Sequence, residues 1–181
     1  NSVAPSRSSL SDRLKYLPKN HTTYAKAKRE YLTGNIEQAE ALYRQAIEEE
    51  DSQSESAVKD LAAMLNESDR SVEAIDLIRK YRSRFGRAKQ ASFDRLSITI
   101  YQKMRDYSSV IATLETLLNA ELRPSQTTNL ERQIAAVEFQ RGSPEVAFNR
   151  LNSIIKRNPT DFQTIQLLDT LKRKQEAGTE A

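Results

Sequence analysis

Residues 24–47 read YAKAKREYLTGNIEQAEALYRQAI, and they split into two helical segments at a Gly-Asn corner. In the second segment Ile36, Ala39, Leu42, Tyr43, Ala46 and Ile47 recur at the spacing of one helix face. Asn35 is expected as its N-cap, with Gln38 three residues on completing a capping box. In the first segment Tyr24, Ala27, Tyr31 and Leu32 keep helical spacing, and Gly34 offers the left-handed conformation that closes a helix. A lone hairpin of this kind cannot bury its apolar stripe, so copies stacked against it are expected.

The copies follow. Val58, Leu61, Ala62 and Leu65 predict one helix, and Ala74, Leu77, Ile78, Tyr81 and Phe85 the next, capped by Asp69 or Ser71 and ended by Gly86. Phe93, Ile98 and Tyr101 precede Asp106, an expected N-cap, and then Tyr107, Val110, Ile111, Leu114, Leu117 and Leu118; Pro124 keeps that helix from running on. Leu130, Ile134, Ala135 and Phe139 lead to Gly142, Ser143 and Pro144, a cap followed by proline at the first helical position. Ala147, Leu151, Ile154 and Ile155 make the next stripe, closed by Pro159. A ninth helix from Asp161 is expected to turn Phe162, Ile165, Leu168 and Leu171 inward and to cap the array. Ala39, Ala74, Val110 and Ala147 register the units at steps of 35, 36 and 37 residues.

Ala27, Gly34, Ala39, Tyr43 and Ala46 resemble the small-residue, glycine and aromatic positions of a tetratricopeptide (TPR) repeat, whose period is about 34 residues. Thr23, Lys26 and Glu30 stand where that family usually carries large apolar residues, and Tyr81, Leu117 and Ile154 replace its small residue late in the second helix. The resemblance implies an all-α fold: a right-handed α-solenoid of antiparallel helix pairs, about nine helices in all. Residues 1–18 are expected as a flexible lead and 19–175 as one repeat domain. Its repeats fall near 20–53, 54–88, 89–125 and 126–160, with a capping helix at 161–175 and a disordered tail at 176–181.

Composition is consistent with that architecture. Of the 181 residues 29% are charged and 7% aromatic, with four glycines and no tryptophan, which suits a solvated helical protein. The formal charge of +3 is far from a polycation. Without cysteine the chain forms no disulfide, thiolate metal site or cysteine nucleophile. No apolar run reaches the roughly 20 residues of a crossing helix. The chain begins NSVAPSRSSLSDR, with no hydrophobic stretch of signal type, as a processed secreted protein or a lipoprotein without its anchoring cysteine starts. The expected compartments are the bacterial periplasm or outer membrane, with an upstream lipid anchor, or the cytoplasm.

Chemistry-bearing motifs are sparse. No phosphate-cradling loop, metal-spaced cluster or nucleophile elbow occurs. His21 has no carboxylate nearby in sequence to orient it as a base. The acidic run EEEDSQSES, 48–56, reads as a fraying, solvated helix end. RKYRSRFGRAK, 79–89, alternates aromatics with cations, but Tyr81 and Phe85 fall on the core face. The expectation is a non-enzymatic protein with no cofactor and no metal.

In TPR-like solenoids the first helix of each unit lines the inner face. The resemblance places Tyr24, Lys59, Arg95 and Arg132 there, with Lys28 and Tyr31 beside the first. This cationic ladder with an aromatic end implies an acidic or extended protein segment as partner. The chaperone carboxylate clamp of some TPR domains is not expected, because Tyr24, Lys28, Asp60, Ser92 and Leu96 occupy its positions. Arg7, Arg13 and Lys15 should keep the lead off the ladder by repulsion. The expected function is an adaptor that helps a multiprotein complex assemble, such as a bacterial envelope, pilus or secretion machine, with self-association through an end as a further mode of contact. The alternative is a pentatricopeptide-like reader of single-stranded RNA, to which ELRPS at 121–125 is similar; of the two, nucleic acid is the less expected partner.

Overall fold

The computed structural model describes residues 22–120 and 123–179. Among them nine helices and no strand occur. They are α1 (Thr23–Thr33), α2 (Ile36–Glu48), α3 (Ser54–Glu67), α4 (Ser71–Arg82), α5 (Arg87–Lys103), α6 (Tyr107–Leu118), α7 (Pro124–Gln140), α8 (Pro144–Arg157) and α9 (Phe162–Thr179). The all-α fold of consecutive helix pairs stands as the residue pattern implied. The expected lead, residues 1–18, and His21 lie outside the described residues.

One backbone device makes all four corners. Gly34, Asp69, Arg105 and Gly142 have φ of 88°, 61°, 56° and 90°, spaced by the same 35, 36 and 37 residues as the alanine register. The next residue in each case reaches back five: Asn35 N–H to Glu30 O at 2.9 Å, Arg70 to Leu65 at 2.8 Å, Asp106 to Tyr101 at 2.9 Å and Ser143 to Glu138 at 2.9 Å. The left-handed residues themselves bond three back, at 3.0–3.3 Å. This is the Schellman closure, which satisfies the last carbonyls of a helix and reverses the chain. Small side chains recur at fixed depth on either side of the corner. Ala27 and Ala39, Ala62 and Ala74, and Ala135 and Ala147 are all fully buried.

The caps correct several expectations. Asn35 makes no side-chain cap bond; its Nδ2 donates to the Glu30 carboxylate at 2.6 Å, which orients the amide towards the preceding helix. Asp69 is taken by the left-handed position and Ser71 lies inside α4, where its Oγ donates to Asn66 Oδ1 at 2.7 Å. Helix α4 ends at Arg82, before Gly86. Ser143 precedes Pro144 without a side-chain cap bond. Pro124 opens α7 as its first residue, and Gln126 Oε1 accepts from the Arg123 N–H at 3.1 Å. Asp106 does cap, accepting from Ser109 N–H at 3.1 Å and from Ser109 Oγ at 2.6 Å.

Contacts group the chain into two compact units, 1–87 and 88–181. In such arrays each helix pair packs on its neighbours alone, so contacts thin at any boundary. In the first unit α1 packs on α2, α2 on α3 and α3 on α4, around Tyr43, Val58, Leu61, Leu65 and Ile78. In the second, α6 packs on α7, α7 on α8, and α9 on both α7 and α8. Ala135, Ala147, Phe148, Leu151, Ile154, Leu168 and Leu171 form its C-terminal core.

Helix α9 differs from expectation twice. It continues to Thr179, so residues 176–179 are helical. Its inward face is Thr164, Leu168 and Leu171, while Phe162 is 77% exposed and Ile165 39%. Thr164, Leu168 and Leu171 share one face by their four-and-three spacing, which leaves Phe162 on the side opposite Leu171, and the buried Thr164 is satisfied by Asp161, which accepts from its N–H at 3.1 Å and from its Oγ1 at 2.9 Å.

Candidate partner-binding residues

Within the first unit the structure brings Tyr24, Lys28 and Tyr31 to one side of α1, facing carboxylates of α3. Tyr24 Oη donates to Asp60 Oδ2 at 2.8 Å. Lys28 Nζ reaches Tyr24 Oη at 3.2 Å and Asp60 Oδ2 at 3.4 Å. One turn-pair along, Tyr31 Oη donates to Glu67 Oε2. Both bonds link residues 36 apart, one more than the 35-residue step from the first unit to the second, so the row ties the first pair of helices to the second. Burial and the bond to the Asp60 carboxylate raise the Tyr24 pKa. For Lys28 burial works towards a lower value, but Tyr24 and Asp60 outweigh it and the pKa rises. Burial also pushes the Tyr43 phenol up; its ring lies 6.1 Å from that of Tyr24.

Lys59 pairs with Glu55 on its own helix at 2.9 Å. In the second unit Arg95 is exposed on α5. Arg132 is 15% exposed and largely committed within the fold. Its Nη1 donates to Asp161 Oδ2 at 3.0 Å and to Thr164 Oγ1 at 3.3 Å, and its Nη2 to Gln163 Oε1 at 2.8 Å. Arg132 therefore clips the start of α9 to α7.

Several residues were missed in the sequence. Asp60 and Glu67 are phenol acceptors whose only signal is the repeat step itself. The acidic run after α2, expected as solvated, supplies ties: Thr23 Oγ1 donates to Glu49 at 2.7 Å, Tyr81 Oη to Glu48 at 3.1 Å and Arg84 to Glu50 at 2.6 Å. Arg70 spans Glu40 at 2.6 Å and Glu73 at 2.6 Å; its hydrogen bonds lead in holding the Glu40 carboxyl below its ordinary range, against burial. The 3%-exposed Glu138 is satisfied by Arg150 at 2.8 Å. Tyr81 is buried, as its place on the core face implied. Among the described residues no group of three His, Cys, Asp or Glu is placed to hold a metal ion, and no helix is long and apolar enough to cross a membrane.

Fold and surface together define a class: an all-α protein of repeated helix pairs with a polar, ion-paired exterior. No family model matches the chain. Over 88 residues it is 35% identical to Protein SULFUR DEFICIENCY-INDUCED 1 of Arabidopsis thaliana; the stretch is 48% of this chain and 28% of that protein, so the chain spans under a third of that relative's length. Among solved structures it is similar to the crystal structure of BtubC (BKLC) from P. vanneervenii, with a TM-score of 0.55 and 14% identity, covering 96% of this chain and 73% of that one. At that identity the likeness is one of fold.

Proposed function

We propose that the chain is a non-catalytic TPR-type adaptor that binds an extended, acidic segment of a partner protein and so helps a multiprotein complex assemble. The observation that carries the reading is the fourfold recurrence of one corner at steps of 35, 36 and 37 residues, flanked by buried alanines at three of the four. Repeated hairpins of this kind present rows of equivalent side chains suited to an extended ligand. Lys28, Lys59 and Arg95 are the contact cations of this proposal. Arg132 serves it indirectly, as the clip on α9.

The test is fluorescence anisotropy of labelled acidic peptides against wild-type protein and a Lys28→Gln, Lys59→Gln, Arg95→Gln variant, which removes charge without adding repulsion beside Asp60 or Glu55. The variant is expected to bind about tenfold or more weakly. Equal affinity would remove these cations from the site. Oligouridylate binding with a steep salt dependence would replace the reading with RNA recognition.

A further inference from the structure

Repetition identifies a face of the first helix pair that the second pair does not use. On α3 and α4, Asp60, Glu67, Arg70 and Arg84 reach back to the preceding pair, to Tyr24, Tyr31, Glu40 and Glu50. The positions one 35-residue step earlier are Ala25, Leu32, Asn35 and Glu49, and Leu42 stands one step before Leu77, which lines a hollow shared with Ile47 and Glu48 of α2. These earlier positions therefore mark the side of α1 and α2 turned away from α3 and α4, where a preceding element of the array would lie. Its apolar members are the buried Ala25 and the half-buried Leu32 and Leu42.

Residues 9–19 of the chain, SLSDRLKYLPK, have the pattern that such a face needs. Leu10, Leu14 and Leu17 stand four and three residues apart. The same spacing joins Thr164, Leu168 and Leu171 where α9 closes the C-terminal core, and Ala39, Tyr43 and Ala46 on the buried face of α2. Pro18 stops a helix at Leu17. That leaves 18–22 as the connection to α1, five residues, as 49–53 connects α2 to α3.

The point of attachment and the charges agree with this. Thr23 Oγ1 donates to Glu49 at 2.7 Å, so the chain enters α1 beside the end of α2. Five residues of chain reach at most about 17 Å, which holds Leu17 near that end of the pair. There the exposed Glu48, Glu49, Glu50 and Asp51 cluster, opposite in sign to Arg13, Lys15 and Lys19, among which Asp12 is the one acid. The face also lies away from the Lys28 row, which is turned towards α3.

We propose that residues 9–19 close the N-terminal end of the array as an amphipathic helix of the chain itself. Leu10, Leu14 and Leu17 pack on Ala25, Leu32 and Leu42, and Lys15 and Lys19 lie towards the acidic run. The segment withholds this apolar face from a second copy of the chain.

The experiment uses the full chain, as wild type and with Leu10→Ser, Leu14→Ser and Leu17→Ser together, and a labelled peptide of residues 7–19. The peptide is expected to bind the serine variant and to bind wild type about tenfold or more weakly, because a five-residue tether gives the resident segment a local concentration of the order of millimolar. A peptide with serine at the three leucine positions should bind neither. In hydrogen exchange the bound peptide should slow α1 and α2 of the serine variant more than α3 and α4. Equal affinity for both chains, binding to neither, or protection centred on α3 and α4 overturns the proposal. Gel filtration tests the remaining occupant: a concentration-dependent dimer of wild type that the serine variant does not form assigns the segment to a second copy and overturns it as well.

Discussion

Arg105 and Asp69 occupy backbone positions where the equivalent residues of the first and last pairs are glycine. An L-residue in the left-handed region costs about 1 kcal/mol or more; asparagine and aspartate tolerate it best, arginine poorly. Arg105→Gly is therefore expected to stabilise the chain by up to about 1 kcal/mol, a rise in Tm of about 2–4 °C at this size, and Asp69→Gly by less. Gly142→Ala should cost about 1 kcal/mol in the same melts. Nothing lies within 4 Å of a Cβ added at Gly142, so any loss there reports conformation and not a clash; an unchanged Tm for both Arg105→Gly and Gly142→Ala would contradict the account. Protonation acts at this scale too. Glu40, bonded to Arg70 against the cost of burial, and Asp161, held by Thr164 against burial and by Arg132, have carboxyl pKa values below the ordinary ones. A carboxylate with a depressed folded pKa lends stability above its unfolded value, near 4, and loses it as pH falls through the folded value. Urea midpoints of wild type should fall from pH 5 to pH 2.5, and Glu40→Gln should reduce the fall. A wild-type and variant difference that does not change with pH would sink that assignment.

Helix α9 is held by Leu168 and Leu171 in the core and by the Arg132 bonds at its start. Removing the guanidinium of Arg132 takes a donor from Asp161, which keeps Thr164, and from Gln163, so Arg132→Ala is expected to cost about 1–3 kcal/mol. The loss should be local, with hydrogen exchange in α9 accelerating more than in α8. Leu168→Ala should cost about 2–4 kcal/mol because Leu168 is only 9% exposed, whereas Phe162→Ser should lie within about 0.5 kcal/mol of wild type. Reversal of that order in denaturant melts would mean that α9 turns its other face inward. Residue types alone suggested Phe162, Ile165, Leu168 and Leu171, but steps of three drift by about 60° each around a helix and carry Phe162 to the side opposite Leu171; the face that shares the four-and-three spacing of Leu168 and Leu171 begins at a threonine. That threonine is buried with its hydroxyl and N–H both answered by Asp161.

For the whole molecule, a chain whose helix pairs pack on their neighbours has stability that is approximately a sum of local terms. Leu151→Ala, at a fully buried position of the second unit, is accordingly expected to cost about 2–5 kcal/mol and to speed exchange in α7–α9 more than in α1–α4. Equal acceleration in both units would show one cooperative block. The sequence by itself determined the number of helices, the positions of the corners and the steps between them. These depend on the 3.6-residue period and on glycine, proline and small side chains, signals that act within a few residues. Two corners without glycine were still legible, because Ala74 and Val110 keep the register past Asp69 and Arg105. Only the tertiary structure decided which side chains meet: Tyr24 with Asp60, Tyr31 with Glu67, and Arg132 with Asp161. Those partners lie about thirty residues apart, and at each position a solvated side chain and a paired one cost nearly the same until a neighbouring helix brings the second group within hydrogen-bond reach.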